Sequence, residues 1–299
     1  MPSFRRQRTK EPLLSERVKG AAVEAAREGQ QRVIETAREV ASQAPGRARE
    51  LRAAAAQLDI PWARSAPARL IRENFMQLVM NPILDHYAAR RATGFEKLAS
   101  LKQPVILVAN HASHMDTPVI LSALPRKLRK RTAVAAAADY FYTNRIVASL
   151  AALLFNTVPV DRKGGGGTGK STSHLDTLLD DGWNLLLYPE GTRKHGNAPG
   201  RVRRGAAVLA SHHNLSIVPI RVTGTAAAMP PGAFWPKRLR GRLLSKRHRV
   251  EVSFGEPIPP LSDTAALIEK VQYFFESGEA GSPALSPYRR RASGSSDDD

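Results

Sequence analysis

Strand-like and helix-like stretches alternate along the chain from residue 102 onwards. The strand-like runs are rich in β-branched and aliphatic residues and cover 104–109, 132–138, 157–160, 184–188, 216–222 and 250–254. The helix-like stretches cover 118–124, 144–155, 171–180, 201–213 and 264–275. Strands that alternate with helices are typical of a sheet covered by helical layers. The sequence therefore predicts a layered α/β domain.

Shifts in composition divide the chain into three parts. Residues 1–60 are rich in Ala, Arg and Glu, and their apolar residues recur at three- and four-residue spacing, which predicts a helical extension. The α/β domain is predicted to cover 61–277, which is long enough to bury a sizeable core. It opens with an amphipathic segment, 61–91, that fits either a membrane interface or packing on the core. Residues 278–299 are rich in Ser, Pro and Gly and are predicted to be a disordered tail.

The charge and the cysteine count restrict the kind of protein this can be. The formal net charge is +18, from 45 Lys and Arg against 27 Asp and Glu, which predicts a polyanionic partner such as nucleic acid, an anionic membrane surface, or a phosphorylated substrate or carrier. The chain has no cysteine, which excludes disulfides, thiolate metal ligands and an acyl-cysteine intermediate. We recognise no signal peptide, and no apolar run approaches the about 20 residues of a spanning helix. Any membrane association is therefore expected to be peripheral.

The first candidate site follows the strand-like run 104–109. Asn110 and His111 come directly after it, and Asp116 lies five positions beyond His111. Loops at the carboxyl ends of strands are where α/β proteins build their sites, and a histidine oriented by an aspartate is a candidate general base. In an alternative interpretation, Ser113 and Asp116 form a capping box that opens the next helix. The two interpretations agree if Ser113 fixes the helix start and thereby the direction of Asp116.

Two further clusters follow strand-like runs. In the segment 188–194, a Pro and a Gly shape a tight turn, Glu190 offers a carboxylate, and Thr192 and Arg193 are suited to hold a phosphate or hydroxyl group. Arg162 follows the run 157–160, and its guanidinium suits bidentate phosphate binding. The second and third clusters therefore predict a place for an anionic substrate.

Other motifs are weaker candidates. Gly164 to Ser171 matches the phosphate-binding P-loop pattern, but the run before it is short and charged, so a flexible connector is favoured. His111, His114 and Asp116, with the pair His212-His213, offer metal ligands, yet no zinc-site pattern is present and we predict no metal. No G-x-S-x-G motif occurs, so a covalent serine mechanism would fall to Ser113, a weak option.

A dense basic run covers 237–249. It is a possible nucleic-acid site, but Trp235 and the pair Leu243-Leu244 beside these charges fit a membrane-facing loop better. A merely solvated basic loop is the remaining interpretation. We therefore predict no nucleic-acid partner.

Taken in chain order, these motifs resemble the glycerolipid acyltransferase family of the 1-acylglycerol-3-phosphate acyltransferase type. The likeness covers roughly residues 75–260 and rests on four blocks. These are Asn110-His111-Ala112-Ser113-His114-Met115-Asp116, Val158-Pro159-Val160-Asp161-Arg162, Tyr188-Pro189-Glu190-Gly191-Thr192-Arg193 and Ile217-Val218-Pro219-Ile220. The third block carries Tyr188 where the family usually has Phe, and the Gly164–Lys170 insert beside Arg162 is unusual.

The resemblance implies a layered mixed sheet flanked by helices, with His111 as the base and Asp116 as its orienter. It implies direct acyl transfer from an acyl thioester, on coenzyme A or acyl carrier protein, to the hydroxyl of 1-acylglycerol 3-phosphate, giving phosphatidic acid. No other cofactor is implied. The predicted substrate-binding residues are Asn110, Ser113, Arg162, Glu190, Gly191, Thr192 and Arg193.

The implied location is the cytoplasmic face of a membrane, in peripheral association with an anionic surface. Partners would be a lysophospholipid, an acyl thioester and, as one option, acyl carrier protein. Two alternatives stay open at this point. In the first, the chain is an acyltransferase whose acceptor is another lysophospholipid or a glycolipid. In the second, it is a non-catalytic basic membrane-binding protein with the same fold.

Overall fold

The structure is a computed structural model that describes residues 59–137, 145–160, 173–190, 200–233, 235–239 and 246–278. All of these residues belong to one unit of the chain, Arg52–Asp299. The predicted N-terminal helical extension, the Gly164–Lys170 insert and the predicted tail lie outside the described residues, apart from their border positions. The predicted division at residues 60 and 277 therefore stays a prediction.

Seven strands and the helices around them make up the described part of the chain. The strands are β1 (Ala88–Thr93), β2 (Ile106–Ala109), β3 (Thr132–Ala137), β4 (Thr157–Val160), β5 (Asn184–Leu187), β6 (Ile217–Thr223) and β7 (His248–Phe254). The helices are α1 (Ala66–Phe75), α2 (Asn81–Tyr87), α3 (Asp116–Ala123), α4 (Arg126–Arg129), α5 (Arg145–Phe155), α6 (Ser173–Asp180), α7 (Gly205–His212), α8 (Thr225–Ala228) and α9 (Thr264–Ser277). Short 3-10 helices cover Pro61–Arg64 and Phe95–Leu98, and a π-helical turn, Met76–Met80, joins α1 to α2.

The strands form one mixed sheet in the order β1-β7-β6-β2-β5-β3-β4. The pairs β6–β2, β2–β5, β5–β3 and β3–β4 are parallel, and β7 runs antiparallel to β6. This confirms the mixed α/β fold with helices around the sheet. Because β2, β5 and β6 are neighbours that point the same way, the residues after their carboxyl ends meet at one edge of the sheet.

The core lies on both faces of this sheet. Ile106 and Val108 of β2 point into one layer, and Leu107 and Ala109 point into the other, as the period of two in a strand requires. Because β2 is buried on both faces, its sequence is a continuous apolar run without polar alternation. A strand in this position holds the loop after it on a rigid base.

The edge strand β1 was missed by the sequence analysis. Its residues read Ala-Ala-Arg-Arg-Ala-Thr, and they pair in parallel with β7 from Ala88↔His248 to Thr93↔Ser253. Alternate positions are exposed, and Arg90 reaches Asp85 and Ser122 with its guanidinium. A half-exposed edge strand built from arginines lacks the apolar run by which buried strands are identified.

The segment around α1 has an unusual distribution of side chains. Arg72 and Glu73 of α1 are buried, whereas Leu70 and Ile71 are exposed. The Arg72 guanidinium donates to the carbonyl oxygens of Ala63, Ala152 and Leu153, which ties α1 to the last turn of α5. Burial lowers the pKa of Arg72 to about 10, a value at which the side chain stays charged at neutral pH. The charged face of this helix therefore packs inwards, and part of its apolar face points out.

Candidate active site

The candidate site lies where β2, β5 and β6 end. His111 follows β2, Glu190 follows β5, and Thr225 follows β6. The register pairs Val108 of β2 with Leu187 of β5, so these strands end at nearly the same level. The described residues of the first and third sequence blocks therefore meet at one edge of the sheet.

His111 is held from two sides. Its Nδ1 lies 2.9 Å from Oδ2 of Asp116, and its ring stacks on the ring of Tyr188 with a centroid distance of 4.2 Å. Since a carboxylate only accepts hydrogen bonds, Nδ1 carries the proton and donates it. The other ring nitrogen, Nε2, has no hydrogen-bond partner among the described residues and keeps its lone pair in the neutral ring. The side chain is 19% exposed, so Nε2 is available to a ligand.

Four donors converge on the buried carboxylate of Asp116. Oδ2 accepts from Nδ1 of His111 and from the backbone N–H groups of Ala112 and Ser113, both at 2.8 Å, and Oδ1 accepts from the hydroxyl of Thr225. The residue also stands in the first turn of α3, where the helix dipole favours a negative charge. These bonds offset the loss of water around a side chain with no exposed surface. The carboxylate is thus fixed before any substrate arrives.

The predicted capping box is present, and it begins at Ser113, three residues before the first residue of α3. The carboxylate of Asp116 accepts from the N–H of Ser113, which is one of the two bonds of that motif. The hydroxyl of Ser113 accepts from the N–H of Met115 and donates to the carbonyl of Met229. Because Ser113 is fully buried, these contacts favour a role in holding the loop over the predicted contact with substrate.

Asn110 and Glu190 also hold the backbone. The side-chain amide of Asn110 donates to the carbonyl of Val222 and accepts from its N–H, which joins the end of β2 to β6. The Oε1 atom of Glu190 accepts from the backbone N–H of His111 at 3.3 Å, and the side chain is buried. We predicted both residues as substrate contacts, but their described hydrogen bonds position the loop that carries His111.

Tyr188, which replaces the usual Phe of the third block, packs its ring flat against the ring of His111. Its hydroxyl pairs with the Thr117 hydroxyl at 2.8 Å, so the added polar atom has a partner. Burial raises the pKa of Tyr188, and the nearby charge of Asp116 raises it further. The phenol therefore stays neutral, and the ring packs on the imidazole without adding a second charge.

Thr225 is the site residue that sequence analysis missed. It is fully buried, and it enters the site only because β6 lies beside β2 in the sheet. The turn before it needs glycine, because Gly224 has φ +83° and an added Cβ would collide with the backbone carbonyl of Arg249. The only sequence signal was a Gly-Thr pair after a predicted strand, at a position 109 residues from Asp116.

Four predicted substrate-binding residues and the P-loop-like segment lie outside the described residues. The four are Arg162, Gly191, Thr192 and Arg193. The strand before Arg162, β4, is separated from β2 by β5 and β3. β4 therefore lies three strand spacings, or about 14 Å, from β2. The pair His212-His213 stands at the end of α7 and precedes β6, so it lies at the amino end of the strands and does not complete a metal site with His111.

No helix within the described residues is both long enough and apolar enough to cross a lipid bilayer.

Comparisons with known proteins agree with this geometry. Residues 89–223 match the family model described as Acyltransferase. The human 1-acyl-sn-glycerol-3-phosphate acyltransferase alpha is 32% identical over 177 residues, which cover 57% of each chain. A Mycoplasma genitalium protein, named as a probable 1-acyl-sn-glycerol-3-phosphate acyltransferase, is 28% identical over 54% of this chain and 59% of its own. The match thus spans less than two thirds of either relative.

A solved structure shows the same fold. The crystal structure of the 1-acyl-sn-glycerophosphate acyltransferase PlsC from Thermotoga maritima superposes with a TM-score of 0.53. The superposition covers 74% of this chain and 81% of that one at 20% identity, and a likeness at that identity speaks for the fold alone. The matched motifs, the relatives and the fold lead to one conclusion. Through residues 89–223, the chain resembles the glycerolipid acyltransferases of the 1-acylglycerol-3-phosphate acyltransferase type.

Proposed function

We propose that the chain transfers a fatty acyl group from an acyl thioester to the free hydroxyl of 1-acylglycerol 3-phosphate, which gives phosphatidic acid. One observation carries this proposal. His111 points Nδ1 at the buried carboxylate of Asp116 and leaves Nε2 without a partner among the described residues. This is the arrangement that a general base for a hydroxyl group requires. The names of the relatives support the choice of acceptor.

The reaction takes place in one direct transfer. Nε2 of His111 removes the proton from the acceptor hydroxyl as its oxygen attacks the thioester carbonyl carbon. A C–O bond forms, the C–S bond breaks, and the thiolate takes up a proton from the charged imidazole. The Asp116 carboxylate, 2.9 Å from Nδ1, stabilises the positive ring while it exists. The acyl group never forms a bond to the protein, in keeping with a chain that has no cysteine.

The acceptor phosphate needs positive charge beside this base. We assign that role to Arg162 and Arg193, with Gly191 and Thr192 completing the turn after Glu190. Guanidinium groups suit this purpose because they bind phosphate with two parallel hydrogen bonds. Coenzyme A and acyl carrier protein are both anionic thioester carriers, so a chain with a net charge of +18 fits either donor. No cofactor beyond that donor enters the reaction.

Several exposed apolar side chains support peripheral binding to an anionic membrane. Leu70 of α1, Leu78 of the π-helical turn and Ile146 of α5 are exposed by 62%, 74% and 71%. α1 and α5 pack together through Arg72, whose Nε lies 2.9 Å from the carbonyl oxygen of Leu153. Water-exposed leucines and isoleucines on a strongly basic protein fit insertion among the acyl chains of an anionic bilayer. We place this surface on the cytoplasmic face of the membrane.

The double variant Leu78→Glu/Ile146→Glu tests this placement. Each change removes apolar area that would be buried in lipid and adds a charge that anionic headgroups repel. Binding to phosphatidylglycerol-containing vesicles, measured by co-sedimentation, is expected to weaken by at least about 10-fold. Phe95→Glu is the matched control, since Phe95 is 50% exposed and lies outside these helices. Equal weakening by the control and the double variant would refute the assigned surface.

Thr225→Val tests whether the hydroxyl of Thr225 holds Asp116, and through it His111, in position. Valine keeps the shape and removes the donor to Oδ1 of Asp116. We expect kcat to fall by about 10- to 100-fold, the value of a lost hydrogen bond to a charged group, with KM for both substrates unchanged. Thr225→Ser restores the hydroxyl and should recover most of the rate. A lower melting temperature with normal kcat in the valine variant would instead show a structural role alone.

A thiol-release assay over a panel of acceptors tests the proposed function as a whole. The panel holds 1-acylglycerol 3-phosphate, other lysophospholipids and a glycolipid, each with an acyl-CoA donor. The highest kcat/KM is expected with 1-acylglycerol 3-phosphate. A clear preference for another acceptor would overturn the substrate assignment. The absence of thiol release with every acceptor and every donor tried would favour the non-catalytic membrane-binding alternative.

A further inference from the structure

A second cluster of titratable side chains lies at the edge of the sheet opposite His111. Asp176 and Asp180 belong to α6, which leads through a short turn into the amino end of β5. His212 ends α7, and His213 follows it just before the amino end of β6. Because β5 and β6 both run parallel to β2, whose carboxyl end carries His111, this cluster is separate from the site described above.

The side chains of Asp176, His212 and His213 converge. Each offers one ligand atom, and these atoms all lie within 4.8 Å of one another. Nε2 of His213 is 2.8 Å from Oδ1 of Asp176, and the rings of His212 and His213 stand nearly perpendicular with a centroid distance of 4.8 Å. A tetrahedral zinc ion bound at about 2.0–2.1 Å holds its ligand atoms about 3.3 Å apart. Small side-chain rotations would therefore bring the three atoms to that spacing.

Asp180 adds an independent sign of a metal site. Its Oδ1 lies 3.4 Å from Nδ1 of His213, the ring nitrogen opposite the one that faces Asp176. A histidine that binds a metal through one nitrogen usually donates its other N–H to a carboxylate, which fixes the ring. Ion pairs between His213 and the two aspartates do not need the approach of His212, whose ring centroid lies 4.8 Å from that of His213. The cluster thus has both the direct ligands and the supporting partner of a metal centre.

We propose that Asp176, His212 and His213 bind one divalent cation of the zinc class, with Asp180 as the outer partner of His213. Two imidazoles and one carboxylate are ligands that zinc accepts, and water fills the fourth position. The ion would join α6 to the end of α7, and its position at the amino ends of the strands makes it a structural site that takes no part in acyl transfer. Both helices pack on the same face of the sheet, so the link would stabilise that layer.

Isothermal titration of the metal-stripped full chain with Zn²⁺ tests this site. The parent is expected to bind one ion in a saturable step that His212→Ala removes. Asp180→Asn is expected to weaken the step by about 10- to 100-fold, as the loss of an outer partner does. His86→Ala is the matched control, because His86 is an exposed histidine far along the chain from the cluster. It should bind zinc as the parent does.

Thermal unfolding gives a second readout. A zinc concentration of about 100 times Kd should raise the melting temperature of the parent by about 5–10 °C and that of His212→Ala by far less. His212 is exposed, so its replacement should leave the metal-free protein folded. The proposal is overturned if the parent shows no saturable binding. It is also overturned if His212→Ala and Asp176→Asn both keep the parent's stoichiometry and affinity.

Discussion

Replacement of His111 by alanine is expected to lower kcat for acyl transfer by about 10²–10⁴-fold, the usual contribution of a general base. Nε2 of the imidazole has no hydrogen-bond partner among the described residues and is the proton acceptor for the attacking hydroxyl. The substitution removes this acceptor. The fold should persist, because His111 is partly exposed and contributes its ring to the Tyr188 stack rather than to the core. The measurement is the initial rate of thiol release at saturating substrates, with membrane binding checked by co-sedimentation.

The matched control is His114→Ala. His114 lies in the same loop, three residues beyond His111, so its removal tests whether any imidazole nearby can act as the base. We expect this variant to work at close to the parental rate. Turnover of His111→Ala equal to that of the parent would contradict the mechanism, whatever the behaviour of the control.

The second large effect is expected from Asp116→Asn. The oxygen of the new amide should occupy the Oδ2 position, because three N–H donors from Ala112, Ser113 and His111 meet there. The NH₂ group would then face Thr225, whose hydroxyl can turn to accept. The tautomer of His111 is therefore kept, and only the charge that stabilises the imidazolium is lost. We expect kcat to fall by about 10²–10³-fold, which corresponds to about 3–4 kcal/mol.

A double-variant comparison shows whether His111 and Asp116 act as a unit. If Asp116 works through the imidazole, adding Asp116→Asn to His111→Ala should cost little further rate. Independent losses that multiply in the double variant would show that Asp116 acts on the substrate by another route. Asp116→Ala, by contrast, should also destabilise the fold, because it leaves the N–H groups of Ala112 and Ser113 without their acceptor.

The sequence was enough to locate the candidate base, His111, and the aspartate that contacts it, Asp116. A buried strand such as β2 shows itself as an uninterrupted apolar run, and the polar residues after it stand at the strand's carboxyl end. The same logic brought the segment after β5 to the same edge. The predicted strands agree with the observed ones within two residues, from β2 to β7.

The roles of individual side chains were harder to derive, because they depend on which strands become neighbours. Thr225 reaches Asp116 only through the pairing of β6 with β2, which no local pattern encodes. Asn110 and Ser113 have polar side chains of the kind that bind substrates, yet the neighbouring strand and loop already satisfy them. The inward arginine of α1, Arg72, was likewise unexpected, since its partners are carbonyls of a distant helix.

The most direct test of the central claim follows both products of the reaction. Vesicles containing 1-acylglycerol 3-phosphate are incubated with an acyl-CoA and the parent chain, and phosphatidic acid is quantified by mass spectrometry alongside the released thiol. We predict one phosphatidic acid for each thiol with the parent, and initial rates of formation of both products at least about 100-fold lower with His111→Ala. Thiol release without phosphatidic acid, or equal phosphatidic acid from both proteins, would contradict acyl transfer by the His111–Asp116 pair.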